Sequence, residues 1–170
     1  MVQRPEAKEF PKYYVPYVNL VPDGDLLEIL KENLLKTTAL FERLSEENGL
    51  HRYAAGKWSL KEVLGHMTDT ERIMSYRLLR VARGDKTPLP GFNENDYIAE
   101  SNFNELPIQQ LIQDFTAVRQ AAMTLITNLP KNTWKKTGFA NNTEISAQAI
   151  AYIIAGHALH HLKIINERYL

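Results

Sequence analysis

Apolar residues recur at helical spacing in four long segments of the chain, which are separated by stretches rich in Gly, Pro and Asn. Four amphipathic segments of this length predict an all-α four-helix bundle. The predicted helices run from about Asp25 to just before Asn48, from Ser59 to about Arg83, from about Pro107 to Asn128, and from about Thr143 to Tyr169.

Residues typical of helix ends support these boundaries. Asp25 can cap the first helix, and Ser59 with Glu62 three residues later forms the pattern of a capping box for the second. Pro107 suits the first turn of the third helix, because its missing N–H would have no partner there in any case. Either Asn142 or Thr143 is a plausible cap for the fourth.

The connections between the predicted helices are unequal in length. Residues 84–106 form a long crossover in which a short helix is expected near residues 96–102. A loop this long inside one domain is often functional. The linker Leu129–Asn142 contains no strand pattern longer than a few residues. One domain is expected, the helical bundle over residues 25–170, preceded by an extended N-terminal arm over residues 1–24.

The prediction of an extended arm depends on its prolines and tyrosines. Prolines at this spacing argue against a regular helix, whereas the aromatic residues argue against disorder. We therefore expect the arm to pack on the bundle or on a second subunit. The residues concerned are Pro5, Pro11, Pro16 and Pro22, with Tyr13, Tyr14 and Tyr17.

Composition narrows the classes of function. The chain has 170 residues, and its 20 basic and 20 acidic residues cancel, so charge gives no reason to expect nucleic acid or an anionic membrane as a partner. Cysteine is absent, which excludes disulfides, thiolate nucleophiles and cysteine-ligated zinc. With no apolar N-terminal region and no apolar run of membrane-spanning length, the expected location is the cytoplasm.

Histidines provide the candidate chemistry. His157 and His161 are four residues apart in the fourth predicted helix, so their imidazoles project from one face and can reach one metal ion. They interrupt a stripe of isoleucines, where unpaired ring nitrogens would cost about 1–3 kcal/mol each. His160 is an alternative partner for His157, but it turns about 60° away from the apolar line that 161 follows. His66, beside the apolar stripe of the second helix, could supply a third ligand.

Other polar groups are weaker candidates. Asp69 lies three residues after His66 and could orient its ring or accept a proton. In the long crossover, Glu94 could close over the metal or act as a base, and its neighbours Asn95 and Tyr97 could also approach it. Trp58 and the three tyrosines of the arm are expected to be packing residues rather than walls of a pocket. His51, in a predicted loop, is expected to be structural or solvated.

At these residues the chain resembles the DinB-like superfamily, and in particular its YfiT-type four-helix-bundle members. The matching segments are Gly56–His66, Asp69–Arg72, Arg83–Phe92 and Ala151–His161. Together with the spacing between them they cover most of residues 25–170.

The resemblance implies an up-down-down-up bundle with a long crossover, and a homodimer. It also implies a divalent metal, Zn²⁺ or Ni²⁺, held by His66, His157 and His161, with a small-molecule substrate. Similar proteins include transferases and isomerases that use bacillithiol or mycothiol, and metal-dependent hydrolases, so a low-molecular-weight thiol is a possible cosubstrate. Two kinds of function stay open: a metal-dependent S-transferase or hydrolase, and a non-catalytic bundle that binds metal or senses a small molecule.

Overall fold

Four long helices form a bundle in residues 2–170, the part of the chain that the computed structural model describes. They are α2 (Leu26–Phe41), α4 (Leu60–Ala82), α6 (Ile108–Asn128) and α7 (Ala147–Arg168). Shorter helices are α1 (Val15–Leu20), α3 (Glu46–Gly49) and α5 (Glu94–Ala99), with 3₁₀ turns at Ala7–Glu9, Lys12–Tyr14 and Lys131–Thr133. Two strands, β1 (Thr137–Ala140) and β2 (Thr143–Ser146), form an antiparallel hairpin.

Contacts between helix ends define the up-down-down-up order. Lys61, at the start of α4, donates to the carbonyl of Leu106 just before α6, so these two helices run in the same direction. Tyr169, after the end of α7, donates its hydroxyl to the carbonyl of Trp58 before α4, so α7 runs the opposite way. Helix α2 packs against α6 and α7, and Glu46, shortly after the end of α2, accepts a hydrogen bond from the Ile108 N–H at the start of α6, so α2 runs opposite to α6. The four-helix bundle and its long crossover, residues 84–106, are therefore as predicted.

The capping residues set the start of three helices. Asp25 accepts hydrogen bonds from the backbone of Leu27 and Glu28, as expected. The capping box of α4 is also confirmed, since the Glu62 N–H donates to Ser59 Oγ at 3.1 Å and the Ser59 N–H donates to the Glu62 carboxylate at 2.7 Å. Helix α7 begins later than predicted, at Ala147 with Ser146 as its cap, because residues 143–146 form β2.

The hairpin was not predicted from the sequence. Its two-residue turn consists of Asn141 and Asn142, both with positive φ (49° and 60°), as a type I′ turn requires. Leu89 of the crossover exchanges backbone hydrogen bonds with Phe139 and Asn141, so the hairpin holds the crossover against the bundle.

The N-terminal segment differs from the expected extended arm. It contains two 3₁₀ turns and the six-residue helix α1, in which Pro16 occupies the first turn, a position where proline costs no hydrogen bond. It packs so closely on α7 that an added Cβ on Gly156 would lie only 2.1 Å from the Tyr17 carbonyl oxygen. The expected packing of this segment on the bundle is thus observed.

A polar layer crosses the bundle between two apolar clusters. One cluster includes the N-terminal half of α7, whereas the other includes the N-terminal half of α4. Between them, Arg119 of α6 is fully buried and donates two hydrogen bonds to Glu71 of α4, at 2.6 and 2.7 Å. It also donates to Asn33 and to the Leu30 carbonyl of α2. His66, His157 and His161 lie in the same stretch of α4 and α7. Over residues 2–170, no helix has the length and apolar character needed to span a membrane.

Candidate metal centre

Three histidine side chains converge where α4 packs against α7. The Nε2 atom of His157 lies 3.0 Å from Nε2 of His66 and 3.1 Å from Nε2 of His161. One nitrogen from each of the three rings lies within 4.8 Å of the others. The two residues of α7 are one helical turn apart, and the close approach of α4 adds the third ring.

Burial keeps these imidazoles neutral. Each histidine is at most 9% exposed. Burial lowers the pKa of His66 from 6.5 to about 4. Burial also lowers the pKa values of His157 and His161 well below 6.5, and the neighbouring histidines act in the same direction. Neutral imidazole is the form that binds a metal ion.

His160 lies outside this cluster. Its ring packs edge-on against Tyr17, with the ring centres 5.0 Å apart, and the three-nitrogen group does not include it. The structure therefore agrees with the sequence spacing, which favoured His161 over His160 as the partner of His157. His161 lies inside the cluster, and His160 lies beside it. His51, in the loop before α4, has its ring against Tyr169, 6.1 Å away between centres.

A cavity of about 230 Å³ opens beside the three histidines. Its walls come from the N-terminal segment, the loop before α4, α4 itself, the crossover, the hairpin turn and α7. Besides the three histidines, it is lined by Tyr13, Tyr14, Tyr17, Trp58, Thr70, Met74, Arg77, Gly91, Phe92, Glu94, Asn141 and Ile153.

Aromatic rings form much of this wall. The Trp58 ring lies 4.7 Å from the His66 ring, and the Tyr17 ring lies edge-on to the His157 ring at 5.6 Å, measured between centres. Burial raises the pKa of Tyr17, so its phenol stays protonated. The expectation that Trp58 and the three tyrosines are packing residues rather than walls was wrong. The 3₁₀ turn Lys12–Tyr14 and α1 bring the three tyrosines to the cavity, and the loop before α4 brings Trp58 there.

The crossover and the hairpin close another side of the cavity. Glu94, in the first turn of α5, and Phe92 contribute from the crossover, and Asn141 contributes from the hairpin turn. An added Cβ on Gly91 would lie 2.3 Å from Asn141 Oδ1, so a larger residue at this position would displace the Asn141 side chain. Asn95 and Tyr97, the neighbours of Glu94, are exposed and do not line the cavity.

Asp69 does not reach the histidine cluster in the structure. Its carboxylate lies 3.4 Å from Arg72, and it is not among the residues that line the cavity. Burial raises the pKa of Asp69, while Arg72 opposes the rise. Three helical residues turn the chain by about 300°, so Asp69 points roughly 60° away from the face of His66. Its catalytic role stays a prediction that the geometry does not support.

Two further residues of α4 in the cavity wall were not singled out from the sequence. Thr70 and Arg77 follow His66 by four and eleven residues, and both intervals return to nearly the same helix face. The Thr70 Oγ1 atom is buried without a hydrogen-bond partner among residues 2–170. Helical periodicity counted from His66 could have identified Thr70 and Arg77 in the sequence, and it favours them over Asp69.

The chemistry of the donor set suits a divalent metal. The Nε2 atoms of His66 and His161 lie 3.0 and 3.1 Å from Nε2 of His157. Each contact between two neutral ring nitrogens needs one hydrogen, and the single His157 nitrogen can donate or accept only one hydrogen bond, so both contacts cannot be satisfied. Zn²⁺ and Ni²⁺ both accept imidazole nitrogen, and a bound cation would replace these contacts with ligand bonds. Three protein ligands beside a cavity are typical of an open site.

Comparison with known proteins agrees with this architecture. The sequence profile of the DinB superfamily matches residues 29–165. A protein of Oceanobacillus iheyensis, assigned provisionally by its name to the metal-dependent hydrolases, is 26% identical over 143 residues, 81% of this chain and 82% of its own length.

Two solved structures have similar folds. One is YfiT from Bacillus subtilis, described as a candidate metal-dependent hydrolase with an unusual four-helix bundle topology; it has a TM-score of 0.72 at 15% identity, over 97% of this chain and 90% of YfiT. The other is a mycothiol-dependent maleylpyruvate isomerase, with a TM-score of 0.67 at 12% identity, over 85% of this chain and 61% of the isomerase. At these identities the likeness shows a shared fold.

Proposed function

Since this chain belongs to the DinB superfamily, we propose that it is a metal-dependent hydrolase of a small-molecule substrate, with His66, His157 and His161 as the metal ligands. The observation that carries the proposal is the convergence of three buried Nε2 atoms at the wall of a cavity. The provisional naming of the Oceanobacillus iheyensis relative supports the same class of reaction.

The protein side chains divide the work within the cavity. The three imidazoles hold the metal, and their burial keeps them unprotonated near neutral pH. A divalent metal supplies Lewis acidity and lowers the pKa of the water it binds. Glu94 is the carboxylate of the cavity wall and is the candidate to accept a proton at its Oε atoms. Trp58 and Tyr17 restrict the access of water to the histidine rings.

The ligand count supports a catalytic metal over a structural one. Structural zinc sites are usually closed by four protein ligands. Within residues 2–170, the metal-binding group contains three residues, and neither His160 nor Asp69 completes it. The cavity beside the group leaves room for water and substrate. A non-catalytic bundle remains the alternative that the experiment must exclude.

A thiol-dependent transferase is the second candidate. One of the similar folds belongs to a mycothiol-dependent enzyme, and this chain has no cysteine of its own to serve as a nucleophile. In that case the metal would bind the sulfur of a low-molecular-weight thiol, and the cavity would hold the electrophile.

The test uses the full chain, stripped of metal by chelation and then loaded with Zn²⁺ or Ni²⁺. A panel of small esters and amides tests hydrolysis, and bacillithiol with monochlorobimane tests conjugation. We expect turnover that chelation abolishes and metal restores. His157→Ala should lack turnover, whereas His160→Ala should retain it.

The outcomes separate the candidates. Conjugation without hydrolysis would replace the hydrolase by the transferase. If the chain binds metal firmly but turns over neither class of substrate, the non-catalytic alternative is favoured. If it binds no metal, the whole proposal fails.

A further inference from the structure

We infer that Arg77 binds a carboxylate of the small molecule that occupies the cavity, so that the ligand is held by the histidine centre at one end and by a guanidinium at the other. This inference rests on the proposed function in one respect, namely that the cavity is a substrate site. Beyond the proposed function, it names the chemical class of the substrate as a carboxylate.

Arg77 is a buried cation without an anionic partner. Its side chain is in the cavity wall, and the residue is 4% exposed. It donates to the Pro90 carbonyl at 2.7 Å and lies 3.5 Å from the Met74 sulfur. In the described part of the chain, no Asp or Glu oxygen lies within 4.0 Å of it, although Glu94 lines the same cavity.

The other buried cations among residues 2–170, Lys61 and Arg119, are paired. Arg119 lies against Glu71, with its Nε atom 2.6 Å from the carboxylate, and the Lys61 ammonium lies 2.6 Å from the Glu46 carboxylate. A buried charge that lacks a partner is costly. Arg77 therefore differs from Arg119 and Lys61 in having no carboxylate partner. An anion that enters the cavity would supply the compensating negative charge.

The aromatic neighbours of Arg77 do not provide a negative charge. Its guanidinium lies over the Phe92 ring, 5.8 Å from the ring centre. Burial raises the pKa of Tyr14, with the charge of Arg77 opposing the rise, so the phenol beside Arg77 is neutral. These groups flank a planar guanidinium, which is well suited to pair with a carboxylate through two parallel hydrogen bonds.

Helix geometry places Arg77 on the same face as the metal ligand of α4. His66, Thr70, Met74 and Arg77 all line the cavity, at intervals that follow one face. Eleven residues span about 16 Å along a helix axis. Side chains on a helix lean toward its N-terminus, so the guanidinium lies nearer to His66 than its Cα does. The geometry fits an elongated molecule with a reactive group at one end and a carboxylate at the other.

The test measures binding rather than turnover. Linear hydroxamic acids of increasing methylene count carry either a carboxylate or a carboxamide at the far end, and they are titrated calorimetrically into the Zn²⁺-loaded protein. At the length that spans the cavity, we expect the carboxylate to bind ~10- to 100-fold more tightly than the matched carboxamide. A parallel series of ω-mercapto acids and ω-mercapto amides tests whether the preferred carboxylate ligand binds the metal through oxygen atoms or through a thiol sulfur.

Variants assign the preference to one side chain. Arg77→Met should abolish it, and Arg77→Lys, which keeps the charge but not the fork, should retain part of it. Arg80→Gln is the matched control, because Arg80 is on the same helix but pairs with Asp85 outside the cavity, and it should keep the full preference. Circular dichroism and urea unfolding establish that each variant is folded.

Failure of this inference is distinguishable from failure of the proposed function. If carboxylates and carboxamides bind equally at every length, or if folded Arg77→Met and Arg77→Lys both keep the full preference, the inference is wrong while the metal site stands. If no hydroxamate and no thiol binds, the metal site fails instead. In that case the metal-free protein is used to test Arg77 with benzoate and benzamide. The inference is supported if benzoate binds more tightly than benzamide to the wild type but not to Arg77→Met. It is overturned if the two ligands bind the wild type equally.

Discussion

The Nε2 atom of His66 lies 3.0 Å from the Nε2 atom of His157, although 91 positions separate the two residues in the chain. This contact exists only because α4 and α7 pack together, and it converts an i,i+4 pair on one helix into a three-membered group. Because every ring is buried, the group is neutral near pH 7, and its nitrogens face one another rather than solvent.

Removal of the central ring tests the ligand assignment. His157→Ala should reduce tightly bound metal at least ~10-fold, because even the loss of a group that only orients a metal ligand lowers affinity about 10- to 100-fold, and His157 is itself a proposed ligand. The variant should keep a helical content close to that of the wild type. Metal content after dialysis, measured by mass spectrometry, is compared with circular dichroism. His160→Ala, on the same helix but outside the cluster, should retain the metal. Equal metal content in the two variants would contradict the assignment.

Acid should destabilise the metal-free protein through its histidines. The folded pKa of His66 is lowered from 6.5 to about 4, so between these values the unfolded chain binds more protons than the folded one. The free energy of unfolding should therefore decrease as the pH is lowered from 6.5 to about 4, by roughly 3 kcal/mol for His66 alone. Above pH 6.5 this contribution should be fully retained. Urea unfolding across this pH range measures the effect. A smaller slope is expected for His66→Phe, and an unchanged slope would refute this origin.

Breaking the buried ion pair of the polar layer should be costly. Glu71→Gln leaves the fully buried Arg119 without a compensating charge, and we expect a loss of about 3–5 kcal/mol in the free energy of unfolding. Asp114→Asn, which removes a half-exposed partner of Arg72, should cost at most about 1 kcal/mol. Denaturant unfolding compares the two. The double variant Glu71→Met/Arg119→Met should recover much of the loss, because it removes both charges.

Gly156 should not tolerate a methyl group. Alanine in the interior of a helix normally stabilises it by about 1 kcal/mol relative to glycine. Here the added Cβ would lie 2.1 Å from the Tyr17 carbonyl oxygen, which is backbone, so we expect net destabilisation and displacement of α1. Thermal unfolding and tyrosine fluorescence report the two effects. Gly49→Ala, where the methyl group meets only side-chain atoms, is the control and should cost less.

Local signals predicted the long helices well. Ser59 and Glu62 mark the start of α4 because both halves of a capping box are encoded within four residues. The hairpin was missed because its Asn141–Asn142 turn resembles any polar linker, and the pairing of β1 with β2 becomes visible only in three dimensions. The helix α1 was missed because Pro16 was treated as a helix breaker, whereas in a first turn it is compatible with a helix.

The site was predicted only as far as periodicity reaches. The spacing from His157 to His161 and the position of His66 in its helix indicated the histidine group. The aromatic walls could not be predicted in this way, because Tyr17 reaches the cavity by packing of α1 on the distant α7, and Trp58 lies in the loop before α4, where helical periodicity gives no information. Arg77 could have been found by continuing the periodicity of α4 beyond Thr70, but its lack of a carboxylate partner is a property of the folded structure alone.

The polar layer also constrains how the helices can slide along one another. A shift of α7 by one turn along α4, about 5.4 Å, would move its imidazoles away from His66 and into an apolar cluster. The same shift of α6 would separate Arg119 from Glu71 and place a guanidinium among apolar side chains. A bundle of purely apolar stripes could accept such displaced pairings at modest cost. In this chain the groups that form the chemical centre and its neighbouring ion pair therefore also fix the axial alignment of the helices.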